Sequence, residues 1–320
     1  MRALVTGAGG FVGPFLIDAL MRRGHEVHGV VRRPPGPRLS ALRVALHTAD
    51  LCDAHAQSAL LADVRPDAVV HLAGMAITAT AEADPDEAYR VNLGGTLALL
   101  RALRETSHGA RLLFVGSSEE YGAVDEPGQP ITEDVPLQPT TVYGASKAAA
   151  EIAAAQWARA YGLDVVRVRA FNHTGPGQAP AFVCSAVARQ IARIDAGLQD
   201  PVLQVGNLDP VRDFSDVRDV VAGYVAVLEA GQSGAVYNLC SGRGLRIAEV
   251  IDLLRGHARV GVEVRSEPAR SRRADAPRIV GSHERATATV GWQPRIPFAT
   301  TLGDLLADWR TRVAAIEASA

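Results

Sequence analysis

Cysteine, methionine and tryptophan occur only three times each in the 320 residues, and aromatic residues make up 5% of the chain. Cys52, Cys184 and Cys240 stand far apart, without the paired spacing of a metal site or an even set for disulfides. They read as reduced, mostly buried thiols of a cytoplasmic protein, and no metal is expected. A basic surplus is also missing. The formal net charge is −2, which argues against a nucleic-acid partner. No apolar run reaches the length of a membrane span, and the first residues lead into a strand pattern rather than a signal peptide, so no membrane is expected. Internal repeats are absent, and Pro34-Pro35-Gly36-Pro37 is a short surface loop rather than a linker. What remains is a chain that is 48% hydrophobic, long enough for a large core and two lobes.

The order of segments carries more than the composition. A β-rich run, Arg2–Thr6, is followed by Gly7, Gly10, Phe11, Val12 and Gly13, and then by an amphipathic stretch beginning at Pro14. Glycines three apart between a strand and a helix let a dinucleotide pyrophosphate approach bare N–H groups at a helix N-terminus. The next strand, Glu26–Val31, lacks the terminal acid that would bond a ribose 2′-hydroxyl. It ends in Arg32-Arg33, whose guanidiniums suit a 2′-phosphate, so NADP(H) is expected over NAD(H). Asp50-Leu51 follows a third apolar run and is placed against the adenine. Ala68–Leu72 is a continuous apolar strand that runs into Ala73-Gly74, small residues that let backbone lie close to a cofactor. Glu87–Arg104 reads as one helix carrying Asn92. Alternation of this kind specifies a right-handed, doubly wound α/β sheet of the Rossmann type.

Arg111–Val115 is a further buried strand. Ser117, Glu119 and Tyr121 leave its carboxyl end, where open α/β sheets place ligands. A helix from Val142 to Ala160 then carries Tyr143 and Lys147, one turn apart on one face. A neighbouring ammonium lowers a phenol from its reference pKa of about 10, which would ready Tyr143 for proton transfer at a sugar oxygen while hydride moves at the attached carbon. The same helix is rich in alanine, which fits close packing on a second subunit. Beyond it, Phe171–Gly177 reads as turns, Phe182–Ala196 as a helix, Asp209–Phe214 as a loop, and Ala235–Leu239 as one more strand of the main sheet. Arg265, Arg270, Arg272 and Arg273 form a basic cluster suited to a diphosphate.

Gly7-x-x-Gly10-x-x-Gly13, Ser117 and Tyr143-x-x-x-Lys147 occur in this order, and in that combination the chain resembles the extended short-chain dehydrogenase/reductase superfamily over nearly its whole length. Within it, Phe171-Asn172-His173, Phe182-Val183, Gly206-Asn207-Leu208-Asp209 leading into Arg212-Asp213, and Arg272-x-x-Asp275-x-Pro277 are similar to the substrate track of GDP-mannose 4,6-dehydratases and GDP-6-deoxy-mannose reductases. Asp275 stands where Glu is usual, and Val142 where both groups usually carry proline. Gly175-Pro176-Gly177-Gln178, the run Val211–Asp219 and Gly291-Trp292-Gln293-Pro294 look closer to the reductases.

The resemblance implies NADPH-dependent reduction of the C4 ketone of a GDP-4-keto-6-deoxyhexose, giving GDP-D-rhamnose in deoxysugar biosynthesis. Ser117, Tyr143 and Lys147 would be catalytic, with Glu119 in the place of a dehydratase base. Asn92 would join the cofactor residues already named. Asn172, Phe182, Val183, Arg212, Arg272 and Asp275 would hold the GDP-sugar together with Ser117 and Glu119. Residues 1–172 and 212–241 are expected to bind the cofactor, and residues 173–211 and 242–320 the nucleotide sugar. A homodimer through the helices containing Asn92 and Tyr143 is implied as well. A 4,6-dehydratase, a sugar epimerase and a non-catalytic dinucleotide sensor remain open alternatives.

Overall fold

Thirteen strands are assigned in chain order among the described residues: β1 Arg2–Thr6, β2 Glu26–Val31, β3 Ala45–Thr48, β4 Ala68–His71, β5 Arg111–Ser117, β6 Val165–Ala170, β7 Asn172–Thr174, β8 Val202–Val205, β9 Val211–Asp216, β10 Val236–Leu239, β11 Gly244–Arg246, β12 Glu263–Ser266 and β13 Arg278–Ile279. The helices are α1 Gly13–Arg22, α2 Pro37–Ser40, α3 Ala54–Val64, α4 Thr78–Ala83, α5 Pro85–Tyr89, α6 Gly95–Thr106, α7 Val142–Tyr161, α8 Val183–Asp195, α9 Val217–Ala230, α10 Ile247–Arg255, α11 Glu284–Val290 and α12 Phe298–Glu317. These come from a computed structural model that describes residues 1–106, 109–124, 129–267 and 276–318.

Seven strands form one parallel sheet in the order β10-β6-β5-β4-β1-β2-β3. The fold is thus the expected Rossmann-like, doubly wound α/β sheet, and the apolar runs of β4 and β5 are explained by burial on both faces. Leu16, Ile17 and Leu20 of α1 and Val217, Val220 and Val221 of α9 cover one face. Leu60 and Leu61 of α3, Leu99 and Leu103 of α6, and Ala150 and Ala154 of α7 cover the other. A separate apolar core unites α8, β8, α10 and α12 around Ile191, Leu203, Leu254, Leu305 and Trp309. Cys184 and Cys240 are buried and Cys52 is half-buried.

Two local expectations are corrected. The helix expected over Glu87–Arg104 is present but not uniform: α5 runs to Tyr89, Arg90–Gly94 forms a π turn, and α6 continues without a gap from Gly95. A side chain at 95 would put its Cβ 2.6 Å from Leu51 Cγ, so the widened turn sits where α6 makes room for the chain after β3. Asp209–Phe214, expected as a loop, contains most of β9, which pairs with β7, β11 and β13. Its polar alternation hid a strand whose charges are internally satisfied. Buried Asp213 accepts the N–H groups of Ser241, Gly242 and Gly281 and the Ser241 hydroxyl. No helix among the described residues is long and apolar enough to cross a membrane.

Candidate active site

β1 lies between β2 and β4, so the chain leaves β1 toward one side of the sheet and returns to the other through β4. At this switch point the carboxyl ends of β1 and β4 diverge and open a crevice. Gly7 stands at its base with φ +70°. A Cβ there would lie 2.7 Å from the Ala73 nitrogen and 2.9 Å from the Leu72 carbonyl carbon; only glycine lets the two chain segments meet. The turn closes with the Gly10 N–H donating to the Gly7 carbonyl at 2.9 Å. Helix α1 then begins at Gly13, with Pro14 in its first turn and no side chain capping it. Its free N–H groups and positive dipole end face the crevice and fit a pyrophosphate. Phe11 stacks on His173 at a centroid distance of 6.2 Å, which ties the glycine turn to the segment after β6.

Arg32 and Arg33 are exposed just beyond β2, and neither forms an ion pair among the described residues. Both guanidiniums reach solvent, and the charge of Arg32 is felt at Glu87. Asp50 is exposed and accepts the Cys52 N–H at 2.9 Å; Leu51 packs on Gly95. Asn92 is buried, and its polar atoms are engaged within the protein. Oδ1 accepts the Met75 N–H at 2.7 Å, and Nδ2 donates to the Met75 carbonyl and to Ser146 Oγ. Asn92 therefore clamps the loop after Gly74 to α7. That supports the crevice wall.

Ser117 ends β5 next to Ala170, the last residue of β6, and Asn172 follows two residues later at the start of β7. Thr141 caps α7 by accepting the Gly144 N–H at 3.0 Å. The Val142 N–H donates to Glu82 Oε1 at 2.8 Å, an anchor that a proline at this position would lack. The cap sets Tyr143, in the first turn of α7, near Ser117, whose side chain acts on the phenol. One turn on, Lys147 is buried. Its Nζ donates to the Val115 carbonyl at 2.5 Å and lies 4.6 Å from the centre of the Phe114 ring.

The expected lowering of the Tyr143 pKa by Lys147 is not found. Burial pushes the phenol above its ordinary range, the Ser117 hydrogen bond opposes this, and the Glu120 and Glu119 carboxylates add to the rise. Lys147 faces inward, toward the strand end and buried acids, instead of toward the phenol oxygen. With its pKa raised, the phenol is neutral at neutral pH and carries a proton it can give. Burial, with a contribution from Lys147, also depresses His71 to about 3. Neutral His71 spans the hydroxyls of Thr6 and Thr96 at 2.9 and 3.2 Å.

The structure thus gathers Ser117, Glu119, Tyr143 and Lys147 at one sheet edge beside the glycine turn. Phe182 caps the start of α8, and Val183 is its first residue. Arg212 is buried in β9, where NH1 donates to the Val211 carbonyl. Asn172 pairs with Phe214, two residues from Arg212, so the two share the boundary with the smaller lobe. Arg272 and Asp275 lie outside the described residues, as do Arg270 and Arg273. Sequence reasoning missed an open groove of about 470 Å³ against α8, lined by Ala186, Arg189, Gln190, Arg193 and Arg265. It also missed Glu120, although Ser117-x-x-Glu120 is a capping-box spacing that is realised here. No cluster of three metal-ligating side chains occurs among the described residues.

Residues 4–305 match the GDP-mannose 4,6 dehydratase family. The chain belongs to this family. It is 41% identical to a GDP-6-deoxy-D-mannose reductase of Pseudomonas aeruginosa, over 98% of each protein. Its fold superposes on the structure of RMD from Pseudomonas aeruginosa complexed with NADPH with a TM-score of 0.84, 39% identity and coverage of 97% and 99% of the two chains. It is also similar to the Thermus thermophilus UDP-glucose 4-epimerase complexed with NAD, with a TM-score of 0.87, 31% identity and coverage of 97% and 99%. This family member is an extended short-chain dehydrogenase/reductase of the nucleotide-sugar branch, an NAD(P)-dependent oxidoreductase by type.

The raised Tyr143 pKa has a direct spectroscopic consequence. In a pH titration followed by tyrosinate absorbance, the difference between wild type and Tyr143→Phe should show no phenolate from residue 143 at pH values near the ordinary tyrosine pKa of about 10. A phenolate signal from this residue near neutral pH would show that Lys147 governs it after all.

Proposed function

We propose that this enzyme reduces the C4 ketone of GDP-4-keto-6-deoxy-mannose to GDP-D-rhamnose with NADPH. The observation that carries this reading is the half-buried phenol of Tyr143, set beside Ser117 at the cofactor crevice on the helix that also carries Lys147, with its pKa raised by desolvation. Ketone reduction needs a proton donor at that point, and the full-length similarity to the Pseudomonas aeruginosa reductase supports the same direction. NADPH bound along the glycine turn would supply the hydride to C4. Tyr143 would pass its proton to the C4 oxygen as charge develops there, and Ser117 would orient that oxygen. Lys147, anchored on the Val115 carbonyl, would hold the nicotinamide ribose.

Gly7, Gly10 and Gly13, with the backbone of Phe11 and Val12, would cradle the pyrophosphate. Arg32 and Arg33 would take the 2′-phosphate, Asp50 and Leu51 the adenine, and Leu72, Ala73 and Gly74 the ribose side of the crevice. Glu119, Asn172, Phe182, Val183 and Arg212 would line the GDP-sugar path, with Arg272 and Asp275 on its diphosphate and ribose. In this reading residues 1–172 and 212–241 carry the cofactor and residues 173–211 and 242–320 the sugar nucleotide, in the cytoplasm. The chain would pair with a second copy through the face of α7 where Ile152 is 58% exposed, together with the segment containing Asn92.

With GDP-4-keto-6-deoxy-mannose as substrate, each product formed should consume one NADPH; turnover without loss of NADPH would instead indicate dehydration or epimerisation. Tyr143→Phe should lower kcat by about 10²–10⁴-fold while leaving NADPH binding unchanged, and retention of most activity would remove Tyr143 as the proton donor. Replacing both Arg32 and Arg33 by Ala should weaken NADPH roughly 10- to 100-fold, as expected for lost charge-assisted hydrogen bonds, with little change for NADH. Equal losses for both cofactors would mean that the arginines do not read the 2′-phosphate. Sedimentation velocity should show a dimer that Ile152→Arg converts to monomer; a monomeric wild type would eliminate this interface.

A further inference from the structure

The loop that follows Arg32 and Arg33 is short and stiff. Pro34, Pro35 and Pro37 lie between Arg33 and Arg38, with Gly36 among them. Each proline fixes its own φ and pushes the residue before it toward extended backbone, so Arg33, Pro34 and Gly36 are restricted as well. Gly36 is extended, at φ −72° and ψ 167°. Such a loop carries the position of one end to the other. It begins at Val31, which is held in the sheet by β3. It ends at α2, where Leu39 is buried in the main core and Arg38 reaches outward.

The Arg38 side chain passes α1 and ends beside α12, a helix of the second apolar core. Its guanidinium lies 4.7 Å from the centre of the Phe15 ring. NH1 donates to the Pro176 carbonyl at 2.6 Å, and NH2 lies 3.7 Å from Asp308 Oδ1 on α12. Asp308 also accepts the Gly177 N–H at 2.8 Å and a hydrogen bond from Arg312 at 3.4 Å. An isolated ion pair at a surface counts for little; here it is one of three contacts on a single guanidinium. Gly177 makes room for it, with φ +94° and a Cβ position only 3.2 Å from Arg38 NH1. The same segment is braced from within, because Thr174 donates to Gln178 Oε1 and Gln178 Nε2 donates to the His173 carbonyl. Gly175-Pro176-Gly177-Gln178 is thus a joint at which the arginine loop meets α12.

We infer that Arg38 is a positioning residue for the cofactor: by fixing the outer end of the proline loop on Pro176 and Asp308, it holds Arg32 and Arg33 in place for the 2′-phosphate. The inference rests on the reading that those two arginines take that phosphate. Its consequence is selective. A loop already held in its binding geometry does not have to be ordered when the ligand arrives, and ordering on binding costs affinity. Freeing the outer end of the loop therefore weakens NADPH. NADH has no 2′-phosphate and does not draw on these arginines, so its affinity is independent of the anchor.

The test titrates NADPH and NADH, followed by nicotinamide fluorescence, against the whole chain as wild type, Arg38→Ala, Asp308→Asn and the two changes combined, alongside thermal melting. Arg38→Ala should weaken NADPH about three- to tenfold and leave NADH within about twofold of wild type. Asp308→Asn removes the charge but keeps an acceptor for the Gly177 N–H. It should weaken NADPH in the same direction, and it decides the matter if Arg38→Ala melts far below wild type. The combined variant should lose no more than Arg38→Ala, because the two side chains act as one strap. Wild-type affinity for NADPH in Arg38→Ala, an equal loss for both cofactors, or additive losses in the combined variant would overturn the proposal. Replacing both Arg32 and Arg33 by Ala separates the two levels of inference. If that protein loses NADPH selectively while Arg38→Ala does not, only the role of Arg38 fails; if it loses both cofactors alike, the reading of the 2′-phosphate site itself fails.

Discussion

Every strand of the main sheet runs in the same direction, and the placement of the site follows from that constraint. Parallel strands need crossover connections, right-handed crossovers stack helices on both faces, and the carboxyl ends of all the strands emerge at one edge. Because β1 sits between β2 and β4, the crossovers diverge there, and the crevice opens between the Gly7 turn and Leu72-Ala73. The same edge receives Ser117 from β5 and, through the capped start of α7, Tyr143 and Lys147. Residues more than a hundred positions apart meet because sheet geometry leaves one place for them.

Burial at that edge then sets the chemistry. Desolvation raises the phenol, weakens the lysine and neutralises His71, since a low-dielectric surrounding penalises whichever form is charged. The polar groups behind the site are not free to relax. Glu151 is held by Arg167 and Arg169, Tyr121 hydrogen-bonds Arg169 and Asn238, and Asn92 ties the β4 loop to Ser146. Such a network holds the candidate site residues rigidly, and glycines at 7 and 116 make the close approaches possible.

Much of this was legible in the chain. The glycine turn, the buried apolar strands, the two arginines after β2 and the Tyr143–Lys147 spacing each reflect a local rule, in which periodicity or residue type alone constrains the backbone. Less legible were β9, where buried Arg212 and Asp213 imitate a polar loop, the π turn within the helix around Asn92, and Glu120, which reads as one more acid beside Glu119. All three depend on partners remote in sequence: Ser241 and Gly281 for Asp213, Leu51 for Gly95, and Glu151 for Glu120.

By itself, then, the sequence determined the doubly wound fold, the dinucleotide crevice and the candidate reacting residues, because hydrophobic period and glycine placement act over a few residues. Only the tertiary structure decided the charge states at the site. Spacing puts a cation one turn from a phenol, but whether that cation acts on the phenol or on acids buried beneath it depends on where each side chain points and how much water reaches it. Here burial outweighs proximity, and the phenol of Tyr143 keeps its proton.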